Sequence, residues 1–214
     1  MFLREVEAIS ILLAERFGAA NRVIKLVNSD KAHVAYPLLN RGNLRASLKA
    51  VSGAMDHDDL LFLYLTSHGA TSIFSTQFQG VIGRDFGPSD IAMALEVAEV
   101  QNAIIVISAC FSGSFIDALA GTRRLILTAA DADSSSFGCN DQNEWTEWGR
   151  AFFAVALERT RDPRAAAEMA REMVALREVE QDMPPSSPQI SEGDEIGAVL
   201  DLWLTGFDEA AAQN

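Results

Sequence analysis

Cysteine, histidine and basic residues are all scarce in this chain, and each scarcity excludes something. Two cysteines, Cys110 and Cys139, among 214 residues make no disulfide framework and fit a reducing, cytoplasmic setting. Three histidines leave little from which to build a metal centre. No Cys-x-x-Cys, His-x-x-x-His or Glu-x-x-His spacing occurs, so no zinc site and no cofactor is expected. Lys and Arg number 17 against 30 Asp and Glu, a formal net charge of −13. Such a surface repels phosphate backbones and anionic bilayers, which argues against nucleic acid and membranes as partners. The densest basic group, Arg159, Arg161, Arg164, Arg171 and Arg177, reads as a solvated helix face. No run approaches the ~20 apolar residues of a membrane span. Arg4, Glu5 and Glu7 interrupt the N-terminus too early for a signal peptide.

What is present is an ordinary globular composition, 49% hydrophobic and 22% charged. The length suits one domain over residues 1–214, with a linker over 182–195 and an appended C-terminal helix over 196–207. Helical periodicity marks Phe2 to Phe17, with Val6, Ile9, Leu13 and Phe17 on one stripe. A second helix would be capped by Asn43, a third opens at Pro88, and a short one covers Ser114 to Ala120. Another runs through Arg159, and a long one starts at Asp162–Pro163. Arg22 to Val27, Leu60 to Thr66, Ala103 to Ala109 and Arg124 to Ala130 read as strands, and Ile73 to Phe86 as a hairpin or extended loop. This alternation argues an α/β fold, a mostly parallel sheet covered by helices on both faces.

Two of the strands end in reactive groups. Ala103-Ile104-Ile105-Val106-Ile107 is a β-branched run that stops at Ser108-Ala109-Cys110-Phe111-Ser112-Gly113. The preceding strand stops at Thr66-Ser67-His68-Gly69. In an open parallel sheet, ligands bind beyond the carboxyl ends of the strands. Neighbouring strands would therefore bring an imidazole and a thiol to one rim, the minimal apparatus for covalent acyl transfer. His33 and His57 stand in loop-like contexts and read as surface residues.

His68-Gly69, Ser108-Ala109-Cys110-Phe111-Ser112-Gly113 and Thr128-Ala129-Ala130-Asp131-Ala132-Asp133-Ser134-Ser135-Ser136-Phe137-Gly138-Cys139 together resemble the legumain-like cysteine peptidases, in particular their bacterial members. That family includes asparaginyl endopeptidases and the catalytic subunit of the glycosylphosphatidylinositol transamidase, and the likeness runs from about Phe2 to Gln189. It implies a three-layer α/β/α sandwich of the caspase–haemoglobinase type, in which the family's first strand has no counterpart ahead of Phe2. It implies a cysteine endopeptidase acting on peptide or protein substrates, with Cys110 as nucleophile and His68 as general acid and base. The backbone N–H groups of Gly69 and Cys110 would form the oxyanion hole, and Ser135 and Ser136 would line the specificity pocket, with Cys139 structural.

Legumains that cut after asparagine carry an acidic residue two before the nucleophile, where this chain has Ser108. They carry another after the glycine that opens the following helix, where Gly149 is followed by Arg150. A pocket lined by Ser108, Ser135, Ser136 and Arg150 would be short of two carboxylates, with a guanidinium gained. It would prefer an acidic side chain and so cleave after aspartate rather than asparagine, because a guanidinium forks onto a carboxylate. A transpeptidase or ligase of the same family, and an inactive caspase-like interaction module, are the alternatives. The short stretch after Gln189 leaves no room for the C-terminal propeptide of animal and plant members.

Overall fold

Every residue of Ala103–Ser108 is buried, as a strand with helices on both faces must be. The structure is a computed structural model that describes residues 1–29, 35–77, 84–138 and 143–212. In chain order its elements are α1 (Phe2–Phe17), α2 (Arg41–Ser52), β1 (Leu61–Thr66), β2 (Gly69–Ala70), β3 (Ile73–Phe74), α3 (Pro88–Val97) and β4 (Ala103–Ser108). A 3-10 turn (Ser112–Phe115) then leads into α4 (Ile116–Leu119) and β5 (Arg124–Thr128). Next, α5 (Glu147–Gly149) continues through a widened π turn (Arg150–Ala156) into α6 (Leu157–Arg159). The chain closes with α7 (Pro163–Glu180), β6 (Gln189–Glu192) and α8 (Ile196–Ala212).

The main sheet has the order β1-β4-β5-β6, with the first three strands parallel and β6 antiparallel to β5. Strand alternation sends Ile104, Val106, Leu125 and Leu127 to one face, where they pack against Ile9, Leu12 and Leu13 of α1, Phe152 and Phe153, and Ala166 and Ala170 of α7. Ile105, Ile107 and Ile126 go to the other face, against Leu44 and Leu48 of α2, Ile91 and Leu95 of α3, and Phe115. The α/β/α sandwich read from the alternation is therefore what forms.

Four local readings change. Arg22 to Val27 takes no strand partner among the described residues. Val27 N–H donates to Pro37 O (2.9 Å), and Asn28 clamps the turn by bonding Leu39 and Thr76. Asn40, not Asn43, caps α2, its side chain accepting from Asn43 N–H (2.9 Å). The stretch read as a linker over 182–195 contains β6, hidden by its half-polar sequence Gln-Ile-Ser-Glu and the prolines ahead of it. The buried stripe of α1 runs through Glu5, Ile9, Leu12 and Leu13 rather than through Val6 and Phe17, which are half-buried.

The hairpin starts earlier than the Ile73 to Phe86 stretch, β2 pairing with β3 over Gly69–Phe74, and Phe74 bridges antiparallel to Phe86 at the far end of the stretch. Among the described residues, β1 is the outer strand of the sheet on its side.

Candidate active site

Parallel pairing of β1 with β4 sets Thr66 opposite Ser108. His68 and Cys110 each follow two residues later, so both leave the same carboxyl rim of the sheet. Ser67 N–H still reaches Ser108 O (3.2 Å), which ties the two strand ends together past the last ladder pair. Immediately beyond, a Cβ added to Gly69 would stand 2.5 Å from the Cys110 carbonyl oxygen. Only glycine allows the two backbones to approach so closely.

Cys110 sits at the start of a sharp turn. Phe111 takes a left-handed conformation (φ 57°), an unusual state for a bulky residue. It is held by Phe111 N–H donating to Ser134 O (2.9 Å) and Gly113 N–H donating to Ala130 O (3.0 Å). Gly113 lies flush on the following loop, where a Cβ would come within 2.6 Å of the Asp131 carbonyl carbon. That loop lays its serines on the half-buried thiol. Ser135 Oγ is 3.1 Å from Cys110 Sγ, Ser136 Oγ is at 3.5 Å, and the Ser136 carbonyl accepts from the thiol at 3.4 Å. His68 is exposed. Its ring meets the edge of Phe2 at a centroid distance of 5.2 Å, and its carbonyl accepts from Ser75 N–H (3.0 Å).

Beneath this rim lies a polar cluster that sequence reasoning missed. Glu5, on α1, is fully buried. Its Oε2 accepts from Thr66 Oγ1 (2.7 Å), and its Oε1 accepts from Thr146 N–H (3.1 Å) and Thr146 Oγ1 (2.7 Å). The Thr146 hydroxyl oxygen also accepts from Gly149 N–H (2.9 Å) and lies 2.8 Å from Ser108 Oγ. Burial raises the Glu5 pKa, and the hydrogen bonds from Thr146 and Thr66 oppose it. Burial and the neighbouring Glu5 charge push the Tyr64 phenol well above its usual range. One sequence signal was available: a glutamate four residues before Ile9, on the core-facing stripe of an otherwise amphipathic helix.

The remaining candidates fall in different places. Ser108 is buried and committed to Thr146. Arg150 forms an ion pair with Glu147, one turn back. His57 is exposed beside Asp58. Cys139 and His33 lie outside the described residues. No helix among the described residues is long and apolar enough to cross a membrane.

Comparison with known proteins agrees with this geometry. The chain is similar to caspase-1 from Spodoptera frugiperda at 16% identity and a TM-score of 0.52, covering 73% of this chain and 69% of that one. It is similar to the structure of pro-sf-caspase-1 at 15% identity and a TM-score of 0.50, covering 73% and 70%. At such identity the likeness shows the fold alone, the caspase–haemoglobinase type. No curated protein matches the chain. The sequence pattern of the peptidase C13 family matches residues 18–191, a span that holds His68, Gly69 and Cys110. With a caspase-like sheet carrying that span, the chain belongs to the peptidase C13 family, the legumain family of cysteine peptidases.

Proposed function

We propose that this protein is a cysteine endopeptidase in which Cys110 and His68 form the catalytic pair. The observation that carries the reading is the backbone approach of Gly69 to Cys110, which holds the His68 and Cys110 strand ends at one rim. The Cys110 thiolate attacks the scissile carbonyl, and the oxyanion that develops is received by the Gly69 and Cys110 N–H groups. Such donors are worth ~3 kcal/mol in the transition state. His68 protonates the departing amine, leaving a thioester on Cys110. It then takes a proton from water, the hydroxide adds to the thioester carbonyl, and the C–S bond breaks to expel the Cys110 thiolate and release the new carboxyl terminus.

Ser135 and Ser136 lie against the sulfur and would border the residue before the scissile bond. Arg150 would meet its side chain, and the buried Ser108 would support the pocket from beneath through Thr146. Arg150 is paired with Glu147. An asparagine amide meets that pair without breaking it, and an aspartate is taken only by displacing Glu147. The pairing with Glu147 turns the expectation from the sequence around: the reading proposed is cleavage after asparagine, with aspartate second.

A peptide library varied at the residue before the scissile bond, run with Cys110→Ala as control, tests this. Cleavage that the control abolishes supports the reading, and the masses of the products separate hydrolysis from amine transfer. Absence of cleavage by a folded sample that also resists a thiol-directed affinity probe overturns it in favour of an inactive interaction module.

A further inference from the structure

The first turn of α1 touches the His68 half of the rim directly and reaches the Cys110 half through Thr146 and Ser108. Phe2 and Glu5 are three residues apart and share a helix face. Phe2 packs on the His68 ring, while Glu5 collects donors from Thr66 and Thr146. Both residues lie outside the span 18–191 that matches the family, so the family's pattern assigns them nothing.

The geometry points to Glu5 as a positioning residue for the catalytic pair, acting through Thr66 on the His68 strand end and through Thr146 and Ser108 on the Cys110 strand end. This rests on the His68–Cys110 reading above. The argument begins with proton counting. Each threonine hydroxyl has one proton, and a carboxylate only accepts. Thr66 and Thr146 therefore both spend their protons on Glu5. The Thr146 oxygen is left to accept from Gly149 N–H and from the Ser108 hydroxyl, which fixes the direction of the whole chain: Ser108 to Thr146 to Glu5. An ionised carboxylate is the acceptor that can hold all three donors at once. Thr66 and Ser108 are register partners, and each stands two residues before a reacting group. Locking them locks the point from which His68 and Cys110 depart.

A structural role alone makes a different prediction. A buried acid whose ion pairs are absent among the described residues would be replaced by an apolar side chain of similar size without kinetic consequence. The discriminating measurement is the pH profile of Cys110 alkylation by iodoacetamide, which needs no substrate. It is run on the full chain as wild type, Glu5→Met, Glu5→Gln and His68→Ala. An imidazolium held near the sulfur favours thiolate, so His68→Ala raises the midpoint.

The expected result is that Glu5→Met, folded by circular dichroism, moves the midpoint in the same direction. It also lowers kcat by about 10²-fold with KM changed only a few-fold, the cost of a misplaced reacting group. Glu5→Gln, which keeps the acceptor for Thr146, restores most of both. A folded Glu5→Met with the wild-type profile and kcat, beside a shifted His68→Ala, overturns the positioning role and leaves the catalytic pair standing. A His68→Ala profile identical to wild type overturns the pair, and the positioning role with it. Should Glu5→Met not fold, Thr146→Ala and Thr146→Ser repeat the comparison outside α1. The alanine variant is then expected to shift the profile and the serine variant to retain it, and an unshifted alanine profile overturns the proposal.

Discussion

Gly69 and Cys110 meet backbone to backbone, with room for no side chain between them: a Cβ on Gly69 would also come within 3.1 Å of the Ala109 Cβ and 3.2 Å of the Ile73 carbonyl. The contact lies where the two N–H groups of the proposed oxyanion hole would have to converge. Gly69→Ala is therefore expected to displace one donor relative to the other. Peptide hydrolysis by Gly69→Ala should fall in kcat by about 10²-fold, the scale of losing one oxyanion donor. Steady-state kinetics on a folded sample check it, and an unchanged kcat would remove Gly69 from the mechanism.

In the proposed pocket, the Glu147–Arg150 pair would set the charge offered to the incoming side chain. Glu147 is the more buried partner, its side chain 13% exposed against 43% for Arg150. Freeing the guanidinium should favour a carboxylate, which it can grip with two hydrogen bonds. Glu147→Gln is expected to raise the aspartate-to-asparagine ratio of kcat/KM by about tenfold, and Arg150→Ala to lower it. Arg150→Ala with its discrimination unchanged would place Arg150 outside the pocket.

The strands whose ends form the rim were legible because their signal is local. Leu61–Thr66 and Ala103–Ser108 are continuous apolar runs of strand length, the second buried throughout and the first half-buried at the sheet's outer side. Their adjacency followed from the crossover rule for parallel strands. What was not legible depends on partners remote in sequence. Thr146 is 141 residues from Glu5, and although the place of Glu5 four residues before Ile9 hints that it faces inward, nothing in Phe2–Phe17 announces which hydroxyls it meets. The sequence stripe chosen for α1 passed through Val6 because a glutamate is counted as polar and outward. The pairing of β6 with β5 is also non-local, and four residues of which Ile190 alone is apolar make a weak strand signal. Asn40 and Asn43 both fit the capping rule, so the local pattern alone does not tell which one caps α2.

Glu5 also gives the fold a pH dependence whose sign can be worked out. Its folded pKa is raised above 4.5 by burial, so between that value and the folded pKa the native state keeps a proton that the unfolded chain releases. Raising the pH through this window lowers stability, and the loss is complete above the folded pKa. Below 4.5 both states are protonated and the loss is absent. Glu5→Gln does not titrate. Its stability relative to wild type should rise as pH increases from 4.5 toward 8, whatever the offset from changed hydrogen bonds. Urea melts of both proteins across that range test this, and a difference that stays flat or falls would contradict the burial of an ionisable acid at this position.

Gly149 is the residue that lets Glu5 in. An added Cβ would fall 1.9 Å from Glu5 Oε1 and 2.7 Å from Thr146 Oγ1, inside the cluster rather than beside it. The carboxylate cannot swing away into solvent, since it is enclosed by β1, by Thr146 and by its own helix. Moving it breaks the hydrogen bonds that offset its burial. Gly149→Ala should therefore cost about 2–4 kcal/mol, overpacking and an unsatisfied buried acid combined. The same methyl group should be tolerated once Glu5 is shortened. In a Glu5→Ala background the space exists, and the double-mutant cycle is expected to show a coupling of at least ~1 kcal/mol between the two positions. Additive losses would mean that Gly149 serves only the entry into the π turn behind it, and that Glu5 reaches Thr146 without its help.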